Sequence, residues 1–158
     1  MVADKRSFCY SLLLAVAVLC IDQASKWLVL ATLGVPDHKL VEICPGFNLA
    51  LVWNRGISFG IFASRNQPLI LVVMALVITV ILLNWLYKNT SRLAALALGC
   101  VIGGAIGNVI DRLRFGAVVD FLDVHVGPYH WPAFNIADSA IFIGVVLLCA
   151  GSIFTPRQ

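Results

Sequence analysis

The sequence predicts an all-α membrane protein: four transmembrane helices with a small β-hairpin on their outer side. Three observations lead there. The chain has 158 residues, 61% of them hydrophobic and only 12% charged, far more apolar than a soluble domain of that length. Four runs, 8–30, 68–87, 93–110 and 136–154, approach the roughly 18 apolar residues that read as a spanning helix. The stretch 31–67 between the first two carries two extended runs around a Pro-Gly pair. Nothing remains for a separate soluble domain, so residues 1–158 are expected to form one integral membrane unit, with outer segments at 31–67 and 111–135.

Lys5-Arg6 ahead of an apolar run imitates a secretory signal peptide, and Ala15-Val16-Ala17 looks like a cleavage site. The run continues past that triplet to Leu30, however, as an uncleaved first span does, and Leu19 before Cys20 is not the small residue usual at a lipid-attachment site. Cys9, Cys20, Cys100 and Cys149 lie in apolar runs, where free cysteine behaves as a small hydrophobe. No C-x-x-C pair or Cys/His cluster calls for a metal or a cofactor.

Orientation is read from the flanking charges. With the N-terminus inside, the inner segments 1–7 and 88–92 and the C-terminus hold Lys5, Arg6, Lys88, Arg92 and Arg157 against Asp4 alone. The other six basic residues fall outside, so density on very short inner segments decides rather than count. Seven of the eight acids then lie at or near the outer face.

The first span ends in Asp22-Gln23-Ala24-Ser25-Lys26, where Asp22 and Lys26 share a helix face. Asp22 lies roughly 21 Å along the helix from Phe8, still inside a hydrocarbon core of about 30 Å, and a charge there needs a partner. Two readings are open: an ion pair within one helix, or a pair that shapes a site. Beyond it, Lys39 to Cys44, Pro45-Gly46 and Phe47 to Trp53 read as a hairpin. Strict alternation puts Phe47, Leu49, Leu51 and Trp53 on one face, which faces either the lipid interface or the protein's own helices.

Gly56-Ile57-Ser58-Phe59-Gly60 matches the G-x-S-x-G pattern of a serine nucleophile, and Asp120 with His125 or His130 follows in hydrolase order. That motif needs a sharp strand-to-helix turn, whereas Ser64-Arg65-Asn66-Gln67 intervenes before any strong helix. The preferred meaning is a glycine-permitted turn that aims the amide of Asn54 at an outer site.

Pro68 opens the second span where proline fits a helix start, and Trp85 and Tyr87 close it as interfacial anchors. This span reads as scaffold. The third carries Ala95, Gly99, Gly103 and Gly107 at intervals of four, a pattern that lets two helix backbones approach closely. At its outer end Asn108, Asp111 and Arg112 fall in one helical sector. Arg112 has the forked donors to pair with a carboxylate or a lipid phosphate, and the plain alternative is a solvated helix end.

Val118 to Val126 is β-branched enough for an extended segment, ended by Gly127-Pro128. Alternation sets Asp120 with Val118, Leu122 and Val124, a carboxylate in apolar company, and Asp123 and His125 on the opposite face. His125 and His130 read as interfacial polar residues rather than catalysts. Asn135 caps the fourth span and puts Asp138 in its first turn, where an acid is favoured by the helix dipole. A cap explains one aspartate but not its coincidence with Asp120.

Asp22-Gln23-Ala24-Ser25-Lys26, Asn54-Arg55-Gly56 with Phe59, Gly104 to Asn108 followed by Asp111-Arg112, Val119-Asp120-Phe121, and Phe134-Asn135-Ile136-Ala137-Asp138, in this order, resemble the lipoprotein signal peptidase (signal peptidase II) family. Each box alone is weak and the five together are specific; the likeness covers nearly the whole chain. Ile57 and Ser58 stand where small residues are common in the family, a mild departure.

The resemblance implies an aspartic endopeptidase of the bacterial inner membrane. It is multi-pass, with both termini cytoplasmic, a periplasmic hairpin or β-cradle, and the active site near the periplasmic face. Such an enzyme removes the signal peptide from diacylglyceryl-modified prolipoproteins, cutting just before the lipidated cysteine. Asp120 and Asp138 are then the catalytic dyad, and Asp22, Lys26, Asn54, Gly56, Asn108, Asp111, Arg112, Asn135 and Ala137 shape the site. Its partners are prolipoproteins, membrane lipids and globomycin-type inhibitors, with no nucleic acid, no metal and no cofactor, and the expected state is a monomer.

The residues agree with that chemistry. Without metal or nucleophile, peptide hydrolysis needs one carboxylate to take a proton from water and one carboxylic acid to give a proton to the carbonyl; two close aspartates share a proton and supply both. Two readings from other classes stand beside it. A proton-relay transporter also uses membrane carboxylates, but its acids line a path, whereas these gather near one face. A lipid-binding scaffold would use Arg112 and Lys26 for headgroups and the aspartates as caps.

Overall fold

The apolar runs become helices α1 (Lys5–Leu33), α2 (Gln67–Lys88), α3 (Arg92–Phe115) and α4 (Ile136–Phe154), and the connections supply strands β1 (Val41–Cys44), β2 (Phe47–Asn54), β3 (Val118–Val126) and β4 (Tyr129–His130). The structure is a computed structural model that describes residues 5–33, 40–56, 67–88 and 91–154. Lys5–Leu33, Pro68–Lys88 and Arg92–Phe115 are long and apolar enough to cross a membrane, and Ile136–Gly151 is a shorter apolar helix.

The central helix is α3, because its small residues let two neighbours come close. Against α1, which runs parallel to it, Gly99 faces Ser11, Gly103 faces Ala15 and Gly107 faces Asp22. A methyl at Gly99 would sit 2.6 Å from the Ser11 carbonyl oxygen, so the spacing of four serves close packing as expected. Ser11 adds a buried bond, its Oγ donating to the Ala95 carbonyl at 2.6 Å. A second seam escaped the sequence reading. Gly104 of α3 meets the Ala137 carbonyl of α4, and Gly144 of α4 meets the Ala97 carbonyl of α3, so α3 and α4 run antiparallel.

The scaffold helix α2 packs on α3 through Leu86, which joins Ala15, Ala95, Leu98 and Ile102 in a buried cluster. Its remaining surface, including Leu69, Val73, Val77, Val80 and Ile81, is apolar and exposed, as suits a helix whose solvent is lipid. Thr79 is satisfied within the helix, donating to the Ala75 carbonyl at 2.7 Å.

Helix α3 runs five residues past the expected end at 110. The polar cluster Asn108, Asp111 and Arg112 does not end the helix because its members find partners inside the fold, as described below. The helix stops instead at Gly116, whose φ of 68° is the left-handed conformation that glycine adopts freely and whose N–H donates to the Arg112 carbonyl.

The hairpin expected at 39–53 is one half of a four-stranded antiparallel sheet in the order β1-β2-β3-β4; Lys39 itself lies outside the described residues. Gly46, at φ 88°, makes the first turn. Between β2 and β3, Leu49 pairs with Leu122 but Val52 pairs with Asp120, so β2 holds one extra residue there, a β-bulge. The bulge corrects the predicted face. Phe47 and Leu49 share a side with Val52 and Asn54, while Trp53 lies opposite Val119 on the side of Asn48 and Asp123. Leu49 and Leu51 pack with Val29 and Leu33 of α1 and Phe121 of β3. Of the two readings left open for this strand, packing on the protein's own helix describes the leucines, while Trp53 is 41% exposed and meets Phe115 edge to face at 5.5 Å between ring centres.

Candidate active site

Three helix ends and two strands bring the polar boxes together. On α1, Lys26 Nζ lies 2.8 Å from Asp22 Oδ2 and 2.8 Å from Asp111 Oδ2. The i,i+4 ion pair of the first reading is present, and through Asp111 it also joins α1 to α3. Asp22, Lys26 and Asp111 are at most 2% exposed, and buried charges of this kind persist only when every polar atom finds a partner. They do. Asp22 Oδ1 accepts from the Ala137 backbone N–H at 2.9 Å, fastening α1 to the first turn of α4. Asp111 Oδ2 accepts from the Val119 N–H at 3.1 Å, fastening α3 to β3. Gln23 donates to Asp111 Oδ1 at 2.9 Å, to Asp22 Oδ2 at 3.2 Å and to the Gly107 carbonyl at 3.3 Å.

Lys26 also donates to Asn108 Oδ1 at 3.0 Å, which turns the other end of that amide toward α4. Asn108 Nδ2 donates to Asp138 Oδ1 at 2.8 Å. Asp138 and Asn135 cap one another: Asn135 Oδ1 accepts from the Asp138 N–H at 2.9 Å, and Asp138 Oδ2 accepts from the Asn135 N–H at 3.3 Å. This is the predicted cap in reciprocal form.

Asn135 is wholly buried and serves the second carboxylate as well. Its Nδ2 donates to Asp120 Oδ1 at 2.7 Å. Asp120 Oδ2 accepts from Asn54 Nδ2 at 2.9 Å, and Asn54 Oδ1 accepts in turn from the Gly56 N–H at 3.2 Å. Asp120 keeps the face that alternation gave it, with Val52 directly across the sheet, and its two oxygens are met by two amides that alternation did not name. Arg112 donates to the Asn108 carbonyl at 3.2 Å and lies in the electrostatic field of Asp138, Asp120 and Asp111. The reading of this sector as a solvated helix end fails, since Asn108 and Asp111 are buried.

Every site residue singled out in the sequence belongs to this one network, and a single amide chain, Asn135 to Asn108, links the two aspartates. The family model described as Signal peptidase (SPase) II matches residues 14–154. The chain belongs to the signal peptidase II family.

Among relatives, the lipoprotein signal peptidase of Syntrophotalea carbinolica is 44% identical over 141 residues, covering 87% of this chain and 86% of that protein. The lipoprotein signal peptidase of Rhodopseudomonas palustris is 45% identical over 149 residues, covering 90% of each. A solved structure described as a bacterial membrane enzyme, determined by the in meso method at 1.9 Å resolution, superposes with a TM-score of 0.82 at 30% identity, covering 93% of this chain and 94% of that one.

In this signal peptidase II chain Asp120, on β3 outside the helices, has its pKa raised to about 6: burial is the main cause, opposed by the donors Asn54 and Asn135 and reinforced by Asp138. Beside Asp138 an apolar groove of about 440 Å³ opens, lined by Trp131, Phe134, Ser139, Phe142 and Ile143. The histidines serve elsewhere. His130 Nδ1 lies 2.9 Å from Asp123, His125 stacks on His130 at 4.7 Å, and Asn48 donates to Asp123 at 2.9 Å. With both rings committed to the Asp123 side of the sheet, the serine-hydrolase order loses its base; Ser58 lies outside the described residues.

Three residues in or beside this network were not named in the sequence. Gln23 sat in plain view inside a polar pentad of an apolar run, a signal strong enough to have named it. Trp131 and Phe142 carried none, because apolar residues in an apolar chain do not announce a groove.

Proposed function

We propose that this signal peptidase II cleaves diacylglyceryl-modified prolipoproteins before the lipidated cysteine, with Asp120 and Asp138 as its catalytic pair. The observation that carries this reading is the shared amide network: each carboxylate keeps donors that favour its ionised form, yet the two lie close enough to influence each other's protonation. Such a pair titrates together and holds one proton between two groups.

Asp120, whose pKa is raised to about 6, is assigned the shared proton and gives it to the scissile carbonyl oxygen. Asp138 takes a proton from the attacking water. The tetrahedral intermediate, a gem-diol, collapses as the departing amine takes the proton from Asp138, the C–N bond breaks, and one of the two hydroxyls returns its proton to Asp120, which restores the pair. Asn54, Asn108 and Asn135 orient the carboxylates, supported by Asp22, Lys26, Gly56, Asp111, Arg112 and Ala137. The groove lined by Trp131, Phe134, Phe142 and Ile143 accepts apolar parts of the substrate beside Asp138.

The same proposal includes four spans, α4 being the fourth, with the basic residues Lys5, Arg6, Lys88 and Arg92 at the cytoplasmic ends of their helices and the aspartates toward the periplasm. It includes the bacterial inner membrane as the location, a monomer as the working state, and inhibition by globomycin-type peptides.

The test is cleavage of a diacylglyceryl prolipoprotein by purified wild type, Asp120→Asn, Asp138→Asn and Ser58→Ala, each checked for folding. Two inactive asparagine variants and an active Ser58→Ala are expected. An inactive Ser58→Ala beside active asparagine variants overturns the dyad.

A further inference from the structure

One face of the β3–β4 hairpin carries a polar cluster that the catalytic network does not use. His130 Nδ1 lies 2.9 and 3.0 Å from the two oxygens of Asp123, and Asn48 Nδ2 donates to Asp123 Oδ2 at 2.9 Å. Asp123 is buried, whereas the His130 side chain is half exposed. His125, directly across from His130, stacks on its ring at 4.7 Å between centres. Its Nδ1 donates to the Gly127 carbonyl at 3.1 Å, and among the described residues its Nε2 has no partner, so this ring serves as a platform for His130.

The opposite face leads to the catalytic pair. Successive residues of a strand point to opposite sides. Trp131 follows His130 and donates its N–H to the Val124 carbonyl at 2.8 Å, which puts it on the side of Val124, Leu122 and Asp120. There it lines the groove beside Asp138 with Phe134, Phe142 and Ile143. Phe142 and Ile143 belong to α4, and Phe134 exchanges backbone bonds with Leu122 at 2.8 and 3.1 Å. Trp131 is tied less firmly. It is 69% exposed, and β4 before it has only two residues, a short edge for a hairpin that is marginal on its own. The bond from His130 to Asp123 supplies what the ladder lacks, a strong link to a charged group next in the chain to this wall of the groove.

We infer that Asp123 and His130 are positioning residues for the substrate: their bond latches the hairpin and so fixes Trp131 as the wall against which an apolar part of the prolipoprotein lies. The role in binding rests on the proposed cleavage, whereas the latch itself does not.

The full-length protein, isotope-labelled on tryptophan and held in detergent micelles, is followed by NMR for exchange of its four tryptophan backbone amides. Beside this, kcat and KM are measured for a prolipoprotein peptide with a diacylglyceryl cysteine. The Trp131 amide is expected to exchange slowly in wild type and roughly tenfold faster in His130→Ala, the effect of losing a bond to a charged group at a half-exposed site. Trp27 and Trp85, within α1 and α2, should keep their protection. KM should rise about tenfold, as when part of an apolar contact is lost, with kcat within about twofold, the pattern of lost uniform binding. His130→Asn, which keeps an N–H near the place of Nδ1, should restore most of both; Tyr129→Ser, on the same strand but outside the cluster, should change neither. An unprotected Trp131 amide in wild type overturns the latch without any variant or any turnover. So does an equal loss in His130→Asn and His130→Ala, or the same loss in Tyr129→Ser. A faster Trp131 amide with KM unchanged, or with a fall in kcat instead, overturns the role in binding. Wild type that does not cut the lipidated peptide overturns the cleavage reading and with it the role in binding, while the exchange result still decides the latch.

Discussion

Val52 lies directly across the sheet from Asp120, in the place that Leu51 would hold if β2 kept strict alternation from Leu49. That one-residue insertion carries Asn54, two positions on, to the side of the sheet where Asp120 projects, diagonal to it and within 2.9 Å. The bulge is what turns an apolar strand into an arm of the candidate active site, and bulges are used in this way to re-aim a side chain.

The first prediction follows from that arm. Asn54 donates to the ionised form of Asp120, so it lowers a pKa that burial has raised to about 6. Without the donor the proton stays on Asp120 to higher pH. If Asp120 is the acid, kcat/KM falls as pH rises through its pKa, and in Asn54→Ala that fall should move up by roughly one unit, the effect of losing a hydrogen bond to a charged group. The pH profile of prolipoprotein cleavage checks it; a fall that moves to lower pH, or stays where it is, contradicts the assignment.

A second prediction concerns Lys26, the cation between Asp22 and Asp111 at 2.8 Å from each. Lys26→Met leaves two carboxylates buried without their counter-charge, and removing one partner of such a cluster costs about 3–5 kcal/mol. The thermal midpoint in detergent should drop sharply. Because the penalty belongs to the stranded charges, Asp22→Asn with Asp111→Asn added to Lys26→Met should recover part of the loss. No recovery would mean that Lys26 acts through packing instead.

How much of this was legible in the sequence depends on the range of the interaction. Asp22 and Lys26, or Asn135 and Asp138, are neighbours on one helix turn, and local periodicity names them. Gly99, Gly103 and Gly107 declare a close helix contact without saying with which helix; only the fold identifies α1. The pairing of β2 with β3 joins residues more than 60 apart, and the bulge inside it leaves no composition signature, because Ala50, Leu51 and Val52 are ordinary strand residues. That is why the predicted face failed at Trp53 and why the bond from Asn54 to Asp120 could not be read from the strand pattern.

The close approach at Gly107 supports a third prediction, set against a glycine of another kind. A Cβ at position 107 would stand 2.6 Å from Asp22 Oδ2. Asp22 cannot retreat without leaving the Ala137 N–H at 2.9 Å and Lys26 at 2.8 Å. Gly107→Ala should therefore move the first turn of α4, and Asp138 with it, costing cleavage at least tenfold, as small misplacements in a catalytic site do. Gly116 is glycine for its backbone: its φ is 68°, and a Cβ there meets nothing within 4 Å. Gly116→Ala should cost about 1 kcal/mol of stability and leave cleavage by the folded protein near the wild-type rate. Measuring kcat and the thermal midpoint for both variants separates the two roles. If Gly107→Ala loses only stability while its kcat is preserved, then Asp22 does not position Asp138 through α4, and the network around Lys26 is a structural clamp alone.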